Sequence, residues 1–598
     1  MKAIWPVLRD LFPLLPAGAR RFFIGFIVVS SAMTLIDVAA MGLLALTITP
    51  TVTQAPIDIP ILGTFPASAA PWLILVACGL LIFKSMLNVL IQFIATRRFA
   101  LYEFAIGKRL FSAYIRSSWE DRTRRTTAEM TRIADLGTAR AVNGFIVPIA
   151  RMPSAIATFV LLLGVLTISQ PLTALIALVY LVLVALVVNR LVTRRALQAG
   201  DVERDYTYRV AILMTEVVEA LKELTLRNRL NDLADVISAN RQKSVRARAN
   251  VSFLGILPQY SFEAALIGGF LLIGGATILL DGPAAAVSAV ALFAATGFRL
   301  IPAVVSLQNS IVASISTLPW AKDVVNDLRD AEATVVEKED GTDVAELSEN
   351  PQALRLTDVS FAYRSSSKPV LDHLDLEIPM GSTLGIVGPS GAGKSTLIDL
   401  LLGLSLPTEG KISIDGVPLP DVIHAWRGRV GYVPQRVALF DGSIAQNIAL
   451  TWSDDFDPDK VQEVLAKVQL TTLVEDRMGG IDARIGERGM SLSGGQQQRL
   501  GIARALYSDP LVLVLDEATS SLDVETENAI SQELRALTGE TTVISVAHRL
   551  STIKDFDRVC YLDGGRIVST GTFAELAAAV PAFGTQVRLA GLEGFIKG

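Results

Sequence analysis

The sequence has few residues of the kinds that build metal centres or disulfide frameworks. Its 598 residues include two cysteines, Cys78 and Cys560, and three histidines, His373, His424 and His548. Two distant cysteines exclude a disulfide framework, and they form no Cys/His cluster of the spacing that zinc sites use. The composition therefore points away from a disulfide-rich or zinc-dependent protein.

Charged residues are also scarce. They make up 19% of the chain, against about 25% in typical soluble proteins, whereas hydrophobic residues make up 51%. Lys and Arg together number 54 and Asp and Glu 59, and the net charge of −5 gives no indication of a nucleic-acid partner. The chain is too apolar to be wholly soluble and too charged to be wholly embedded in a membrane.

The apolar residues are concentrated in the first 330 positions. Six stretches there each reach the roughly 20 residues that a membrane-spanning helix needs. They lie at about 22–48, 71–96, 143–169, 171–193, 251–280 and 284–316. The first is too long for a cleaved signal peptide, and no small-residue cleavage site leads into a soluble chain. We therefore expect six spanning helices.

Basic residues indicate the orientation of these spans. Lys and Arg precede the first span and recur between spans two and three and between spans four and five, whereas residues 50–71 contain none. Because basic connections stay on the cytoplasmic side, we expect both termini to lie there, in a plasma (inner) membrane protein. The long inner connections predict helices that extend beyond the bilayer. Residues 5–18 predict a helix along the inner surface, with a disordered tail as the alternative.

The chain changes character after the spans. Residues 331–350 are polar and acidic, and beyond them short β-rich runs alternate with helical runs, which is typical of an α/β domain. We therefore predict four segments: an N-terminal elbow helix at 1–20, a transmembrane domain of six helices at 21–330, a linker at 331–350 and an α/β nucleotide-binding domain at 351–598.

A phosphate-binding loop lies near the start of the α/β domain. It follows the apolar run 383–387 and precedes a helical run, and it comprises Gly388, Pro389, Ser390, Gly391, Ala392, Gly393, Lys394, Ser395 and Thr396. Glycines let successive N–H groups curve around an anion at a helix N-terminus. Lys394 is predicted to reach the β- and γ-phosphates of ATP, and Ser395 to bind Mg²⁺.

A second predicted strand, at 511–517, ends in two carboxylates. Asp516 is expected to hold Mg²⁺, and Glu517 to polarise the attacking water. This pattern becomes specific because it follows a phosphate-binding loop at a distance of about 120 residues.

Just before that strand, LSGGQQQR at 492–499 resembles the signature of ATP-binding cassette (ABC) proteins. The resemblance extends over 351–590 and implies that Tyr363 stacks on adenine and that Gln435 contacts Mg²⁺ and the attacking water. It also implies that Asp523, in ATSSLD, lies in a loop crossing between paired subunits and that His548 senses the γ-phosphate. With six spans before it, the chain resembles the exporter branch, of type I/IV fold.

The same resemblance implies a partner chain. In ABC proteins the signature, here Ser493, Gly494, Gly495 and Gln496, faces the phosphate loop of a second cassette. This chain has one cassette, so two copies are expected to enclose two ATP molecules with Mg²⁺; a heterodimer remains the alternative. Residues 117–123 and 220–230 are the candidates for helices that carry cassette movement to the spans, and solvated charged faces are the alternative.

The cargo is expected to be recognised within the spans. Five ionisable residues fall inside the apolar stretches: Asp37, Lys84, Arg151, Glu263 and Arg299. Such residues are costly in a bilayer and are candidates for function. Lys84 and Arg299 would suit an anionic head group, whereas pairing of Arg299 with Glu263 is the structural alternative.

Short patterns in the spans are similar to bacterial flippases for lipid-linked oligosaccharides. They include LPQYSFEA in span five and FRLIPAVVSLQNSI in span six. The resemblance implies an ATP-driven exporter or flippase that moves an amphiphilic, anionic lipid-linked glycan from the inner to the outer leaflet. A multidrug or lipid exporter of broad specificity is one alternative, and a nucleotide-gated channel or regulator is another. The first outer connection is short and proline-rich, with no clear amphipathic helix where those flippases carry one.

Overall fold

The chain folds into two units, Met1–Val336 and Glu337–Gly598. The structure is a computed structural model. It describes residues 4–53, 56–59, 63–124, 126–169, 171–335, 343–364, 366, 368–486, 489–518, 532, 539–547 and 549–595.

Long helices build the first unit. They are α1 (Ile4–Leu11), α2 (Ala19–Thr53), α3 (Ala70–Arg116), α4 (Trp119–Arg124), α5 (Thr127–Arg132), α6 (Val147–Ser169), α7 (Pro171–Leu226), α8 (Leu230–Asp281) and α9 (Pro283–Ala333). Among the described residues, six helices are long and apolar enough to cross a membrane. The prediction of six spanning helices is confirmed.

The third span begins irregularly. Two π-helical stretches, Ile133–Gly137 and Arg140–Ile146, precede α6. Glycines bring this region and α7 close to α9: a Cβ atom on Gly144 would lie 2.4 Å from the Thr317 side chain, and one on Gly200 would lie 2.0 Å from the Ser316 carbonyl oxygen. Small residues at such crossings allow helices of membrane proteins to pack backbone against backbone.

Between the first two spans the chain forms a small hairpin. Strands β1 (Ile57–Ile59) and β2 (Gly63–Phe65) pair antiparallel, and Ile57 packs with Ala70 at the start of α3. The sequence predicted only a short proline-rich connection here, because three-residue strands are too short to produce an alternating pattern.

The N-terminal helix α1 packs along the rest of the unit. Ile4, Leu8 and Leu11 are spaced so that they share one helix face, and all three are buried in the same apolar cluster as Leu110 of α3 and Leu328 of α9. A 3₁₀ turn, Phe12–Leu14, joins α1 to the segment that leads into α2.

Two sheets form the second unit. Its strands are β3 (Ala353–Phe361), β4 (Leu371–Pro379), β5 (Thr383–Val387), β6 (Glu409–Ile414), β7 (Val417–Pro418), β8 (Val430–Val433), β9 (Val512–Asp516), β10 (Thr542–Val546), β11 (Arg558–Asp563) and β12 (Arg566–Gly571). One sheet has the order β12-β11-β5-β10-β9-β8, and the antiparallel one has the order β4-β3-β6-β7. The predicted α/β domain is confirmed.

The described helices of this unit flank the sheets. They are α10 (Lys394–Leu401), α11 (Ile423–Gly428), α12 (Ile444–Ala449), α13 (Pro458–Lys467), α14 (Thr471–Glu475), α15 (Gly494–Leu506), α16 (Leu550–Ile553), α17 (Phe573–Ala579) and α18 (Pro581–Leu589). Strand β5 is buried along its whole length and pairs parallel with both β10 and β11. Parallel neighbours place the ends of β5, β9 and β10 at one edge, where α/β sheets bind ligands.

Candidate nucleotide-binding site

The glycine-rich loop lies at the end of β5. Gly388, Gly391 and Gly393 have φ values of 155°, 81° and 101°, which L side chains rarely adopt. A Cβ atom on Gly388 would lie 2.0 Å from the Leu562 carbonyl oxygen, so the loop can pass β11 only without a side chain there. Helix α10 begins directly after Gly393, and its first N–H groups point into the loop region. The result is a concave backbone surface suited to an anion.

Lys394 closes this loop from inside. Its Nζ atom donates hydrogen bonds to the carbonyl oxygens of Gly388, at 2.7 Å, and Pro389, at 2.9 Å. Burial lowers the pKa of Lys394, while the negative charges of Glu517 and Asp516 oppose that shift. A partly desolvated ammonium group beside two carboxylates attracts a phosphate more strongly than an ammonium group in bulk water does.

The two carboxylates follow β9, which is parallel to β10. Asp516 is the last residue of β9, and its Oδ2 atom accepts a hydrogen bond from the Tyr432 hydroxyl at 3.3 Å. Glu517 follows in a left-handed conformation, with φ of 52°, and its N–H donates to the Val546 carbonyl oxygen at 3.3 Å. Burial and the nearby Asp516 raise the pKa of Tyr432, so that hydroxyl remains a proton donor.

Gln435 reaches the second carboxylate directly. Its Nε2 atom donates to Oε2 of Glu517 at 2.6 Å. The sequence assigned Gln435 and Glu517 each to the attacking water but did not predict their direct contact, because Gln435 follows β8 and lies far from Glu517 in sequence.

The oxygen groups at this edge fit Mg²⁺ better than a transition metal. Ser395 presents an exposed hydroxyl in the first turn of α10, and Asp516 and Gln435 offer a carboxylate and an amide oxygen, which are the hard ligands that Mg²⁺ prefers. Within the described ranges, no three His, Cys, Asp or Glu side chains lie close enough together to hold a metal ion. The donor set therefore suits a cation that shares its coordination with phosphate oxygens.

Tyr363 lies beside the same loop. Its hydroxyl is 3.0 Å from Oγ1 of Thr396, and its ring packs edge-on against Phe361, with centroids 5.0 Å apart. The aromatic side chain is therefore fixed next to the phosphate loop, and its stacking on adenine stays a prediction.

The signature segment heads a helix of its own. Ser493 caps α15: its Oγ atom accepts from the Gln496 N–H at 3.3 Å, and its own N–H donates to Oε1 of Gln496 at 2.9 Å. A Cβ atom on Gly494 would meet nothing within 4 Å. The helix N-terminus thus presents an open surface with a positive partial charge.

The structure brings some of the predicted site residues together, and others fall outside the residues that it describes. It joins the phosphate loop with Asp516, Glu517 and Gln435, whereas Asp523 and His548 lie outside the described residues. Sequence reasoning missed Tyr432, although its position three residues before Gln435 in GYVPQ was a usable signal. The close approach of the Leu562 carbonyl oxygen to the phosphate loop could not be predicted, because it depends on the order of the strands in the sheet.

In the first unit, Lys84 has a partner. Its Nζ atom forms an ion pair with Oδ2 of Asp37, and both side chains are largely buried. Binding of substrate by Lys84 stays a prediction. Arg299 belongs to α9, but its side chain lies outside what the structure describes.

A cavity of about 530 Å³ lies between α6, α8 and α9. It is lined by Pro148, Arg151, Gln259, Glu263, Ile301, Pro302, Val305, Ser306, Asn309, Ser310 and Ala313. The Gln259 amide donates to Glu263 at 3.0 Å. The lining mixes hydrogen-bond donors, acceptors and both signs of charge.

Comparison with known proteins agrees with this geometry. Residues 371–520 match the ABC transporter family. An ATP-dependent lipid A-core flippase from Cupriavidus pinatubonensis is 42% identical over 224 residues, which are 37% of this chain and 38% of that protein. A second lipid A-core flippase, from Thiobacillus denitrificans, is 36% identical over 321 residues, 54% of this chain and 51% of that protein.

A beta-(1→2)glucan export ATP-binding/permease protein, NdvA of Rhizobium meliloti, is 37% identical over 273 residues, 46% of each chain. The chain thus aligns with between about two fifths and one half of the length of these relatives. A solved structure of a bacterial Atm1-family ABC exporter with ATP bound superposes with a TM-score of 0.75 at 23% identity, covering 96% of this chain and 99% of that one. Residues 371–520 therefore belong to the ABC transporter domain family, and the chain as a whole has the fold of that exporter structure.

Proposed function

We propose that two copies of this chain form an ATP-driven flippase that moves an amphiphilic lipid-linked glycan from the inner to the outer leaflet of the plasma membrane. The observation that carries the proposal is the short Gln435–Glu517 contact at the edge of the sheet that holds the phosphate loop, in a chain whose described residues also form six helices long and apolar enough to cross a membrane. The first unit supplies a passage through the membrane, and the second supplies a reaction that can drive it.

The chain's own residues account for the steps of hydrolysis. The loop N–H groups and Lys394 bind the phosphates, and Ser395, Asp516 and Gln435 are the residues that would hold Mg²⁺. When bound, the cation neutralises charge on the phosphate oxygens. Glu517, fixed by Gln435, orients and polarises the attacking water, and the resemblance to ABC proteins assigns the sensing of the γ-phosphate to His548.

A second copy completes each site. The capped N-terminus of α15, opened by Gly494 and Gly495, serves as an anion-binding surface for nucleotide on the partner's phosphate loop. The resemblance to ABC proteins assigns Asp523 to a loop that would cross between the two copies. Binding of two ATP molecules then draws the domains together, and hydrolysis releases them, which is an equilibrium between two states biased by nucleotide.

Two short segments carry this movement to the spans. One is α4, a six-residue helix. The other is the tight turn of residues 227–229 between α7 and α8, two helices of 56 and 52 residues. Both lie on the predicted cytoplasmic side, as do the two termini.

The cavity supports a polar head group as cargo. Arg151 offers a cation for a phosphate, and Gln259, Glu263 and Asn309 offer the donors and acceptors that sugar hydroxyls need. The names of the relatives, lipid A-core flippase and glucan exporter, support cargo of this class. A multidrug exporter would favour aromatic walls, and the described lining contains no Phe, Tyr or Trp.

ATPase measurements in proteoliposomes test the cargo. We expect polyprenyl-pyrophosphate glycans to stimulate hydrolysis severalfold in the unmodified protein and less in Arg151→Ala, which removes the cation of the cavity, and in Arg299→Ala. Arg195→Ala, at an exposed position of α7, is the matched control and should behave as the unmodified protein. No response to the glycans, together with stimulation by tetraphenylphosphonium, would favour the multidrug alternative.

Turnover itself is tested with Glu517→Gln. We expect ATP binding to persist and hydrolysis to fall by about 10²–10⁴-fold, the usual size of a general-base contribution. Glu377→Gln, at an exposed glutamate of β4 that pairs with Arg355, is the control. Cargo movement that continued in Glu517→Gln would indicate a nucleotide-gated channel instead.

A further inference from the structure

The end of α3 and the end of α9 meet at one point of the first unit. Ser117, just after α3, forms an isolated antiparallel bridge with Val335, just after α9. The Ser118 N–H also donates to the Thr334 carbonyl oxygen at 2.9 Å. We call these four residues the α3–α9 joint.

Two segments that could transmit movement between the spans and the nucleotide-binding domain begin at this joint. Helix α4, the predicted contact helix, starts at Trp119, and Val335 is the last residue described before the chain enters the second unit. Helix α4 is also fixed to the joint, because Nε of Arg122 donates to the Ser117 carbonyl oxygen at 2.7 Å and Oγ of Ser118 donates to Asp121 at 2.6 Å.

Helix α1 spans the two helices that end in the joint. Asp10 of α1 forms an ion pair with Arg329 of α9 at 3.2 Å. Arg109 of α3 donates to Oε1 of Glu332 at 2.5 Å and to the Pro13 carbonyl oxygen at 3.4 Å. One guanidinium group therefore contacts α9 and the end of the N-terminal segment together.

The buried face of α1 strengthens this connection. Ile4, Leu8 and Leu11 are each at most 7% exposed and share a cluster with Ile106 and Leu328. Burying an aliphatic side chain stabilises a fold more than an exposed ion pair does. The apolar face therefore holds α1 against α3 and α9, and Arg109 adds a polar contact to the segment just after α1.

We propose that α1 is a strap that keeps the α3–α9 joint closed throughout the ATP cycle, so that α4 and the exit of α9 move as one body, and that Arg109 is its positioning residue. This rests on the proposed ATP-driven cycle, but not on the nature of the cargo. If the joint stays closed, α4 and the chain segment that follows α9 undergo the same displacement, and both pass it to the spans.

A reversible cross-link tests the fixed joint. Residues opposite each other in an antiparallel bridge have Cα atoms about 4.5–5.5 Å apart, which a disulfide can join. The full-length Ser117→Cys/Val335→Cys protein, in a Cys78→Ser background, should form an intrachain disulfide in liposomes, seen by peptide mass spectrometry. Its ATPase rate should stay within about twofold of the reduced protein.

Two outcomes would overturn the proposal. One is a rate that falls tenfold or more on oxidation and returns with reductant, because the joint would then have to open during turnover. The other is no disulfide at all, which would mean that residues 117 and 335 do not lie opposite each other. A third result would contradict only the cargo proposal and leave the closed joint untouched. In that result the ATPase rate is unaltered by the cross-link, and glycans do not stimulate the protein that carries no cross-link.

The strap is tested separately through Arg109. We expect Arg109→Gln to keep the KM for ATP and to lower the amount of polyprenyl-pyrophosphate glycan moved per ATP hydrolysed by at least threefold, with partial recovery in Arg109→Lys. Lys108→Gln removes the neighbouring exposed charge and should change neither quantity. Equal loss in both variants, or an unchanged ratio in Arg109→Gln, would show that Arg109 has no positioning role.

Discussion

The side-chain amide of Gln435 donates to the carboxylate of Glu517 across 2.6 Å, joining the loop after β8 to the end of β9. Because β8 and β9 are parallel neighbours, their ends meet although the residues are far apart in sequence. The contact fixes the orientation of the carboxylate that is proposed to polarise water.

We predict that Gln435→Ala lowers ATPase activity by about ten- to hundredfold, since a hydrogen bond to a charged group contributes about 1.5–3 kcal/mol. Steady-state kinetics in proteoliposomes would measure the change. Gln586→Ala, at an exposed position of α18, is the control. A rate within twofold of the unmodified protein would remove the contact from the catalytic geometry.

Two glycine substitutions should distinguish loss of ATP binding from loss of ATP hydrolysis. In Gly388→Ala the new Cβ atom would lie 2.0 Å from the Leu562 carbonyl oxygen, so we expect loss of ATP binding. In Gly494→Ala the Cβ atom meets nothing within 4 Å of this chain, so ATP binding should persist. If α15 faces nucleotide on a partner, hydrolysis should nevertheless fall severalfold; nucleotide titration and ATPase assays distinguish the two effects. Unchanged hydrolysis in Gly494→Ala would contradict the shared site.

The thiol of Cys560 should be inert in the folded protein. It is buried in β11, and burial raises its pKa to about 12, so almost no thiolate exists at neutral pH. In a Cys78→Ser background, we expect maleimide to label the chain only after denaturation, as measured by intact mass. Rapid labelling of the native protein would mean that β11 opens readily.

Acid should weaken the start of α17 through Glu575. The Thr572 N–H donates to Oε2 of Glu575 at 2.8 Å, and this hydrogen bond lowers the pKa of Glu575. A carboxylate whose pKa is lower in the folded state stabilises the fold above its unfolded value and loses that effect as pH falls through the folded value. Thermal unfolding of Glu575→Gln between pH 7 and pH 3 should therefore depend less on pH than that of the unmodified protein. An identical pH dependence in both proteins would contradict this.

Much of this molecule could be predicted from its sequence. The six spans and the α/β domain followed from apolar run length and from local motifs, because both signals are contained in short stretches of chain. The phosphate loop was equally local. The close pass of Gly388 by Leu562 could not be predicted, because it depends on which strands become neighbours.

The spans were harder to interpret in detail. Lys84 suggested a substrate ligand, but sequence alone does not indicate that Asp37 of another helix lies within reach. The π-helical stretches before α6 and the joint between Ser117 and Val335 were likewise invisible, because each depends on packing between segments distant in the chain.

The strand order has a consequence for biosynthesis. Strand β5, which ends in the phosphate loop, pairs with β10 and β11, so both of its neighbours are translated long after it. A nascent chain that has left the ribosome only as far as β9 therefore carries the complete loop without the sheet that supports it. Until residue 563 has emerged, β5 lacks both of its neighbouring strands, and unpaired strand edges of this kind are prone to aggregation.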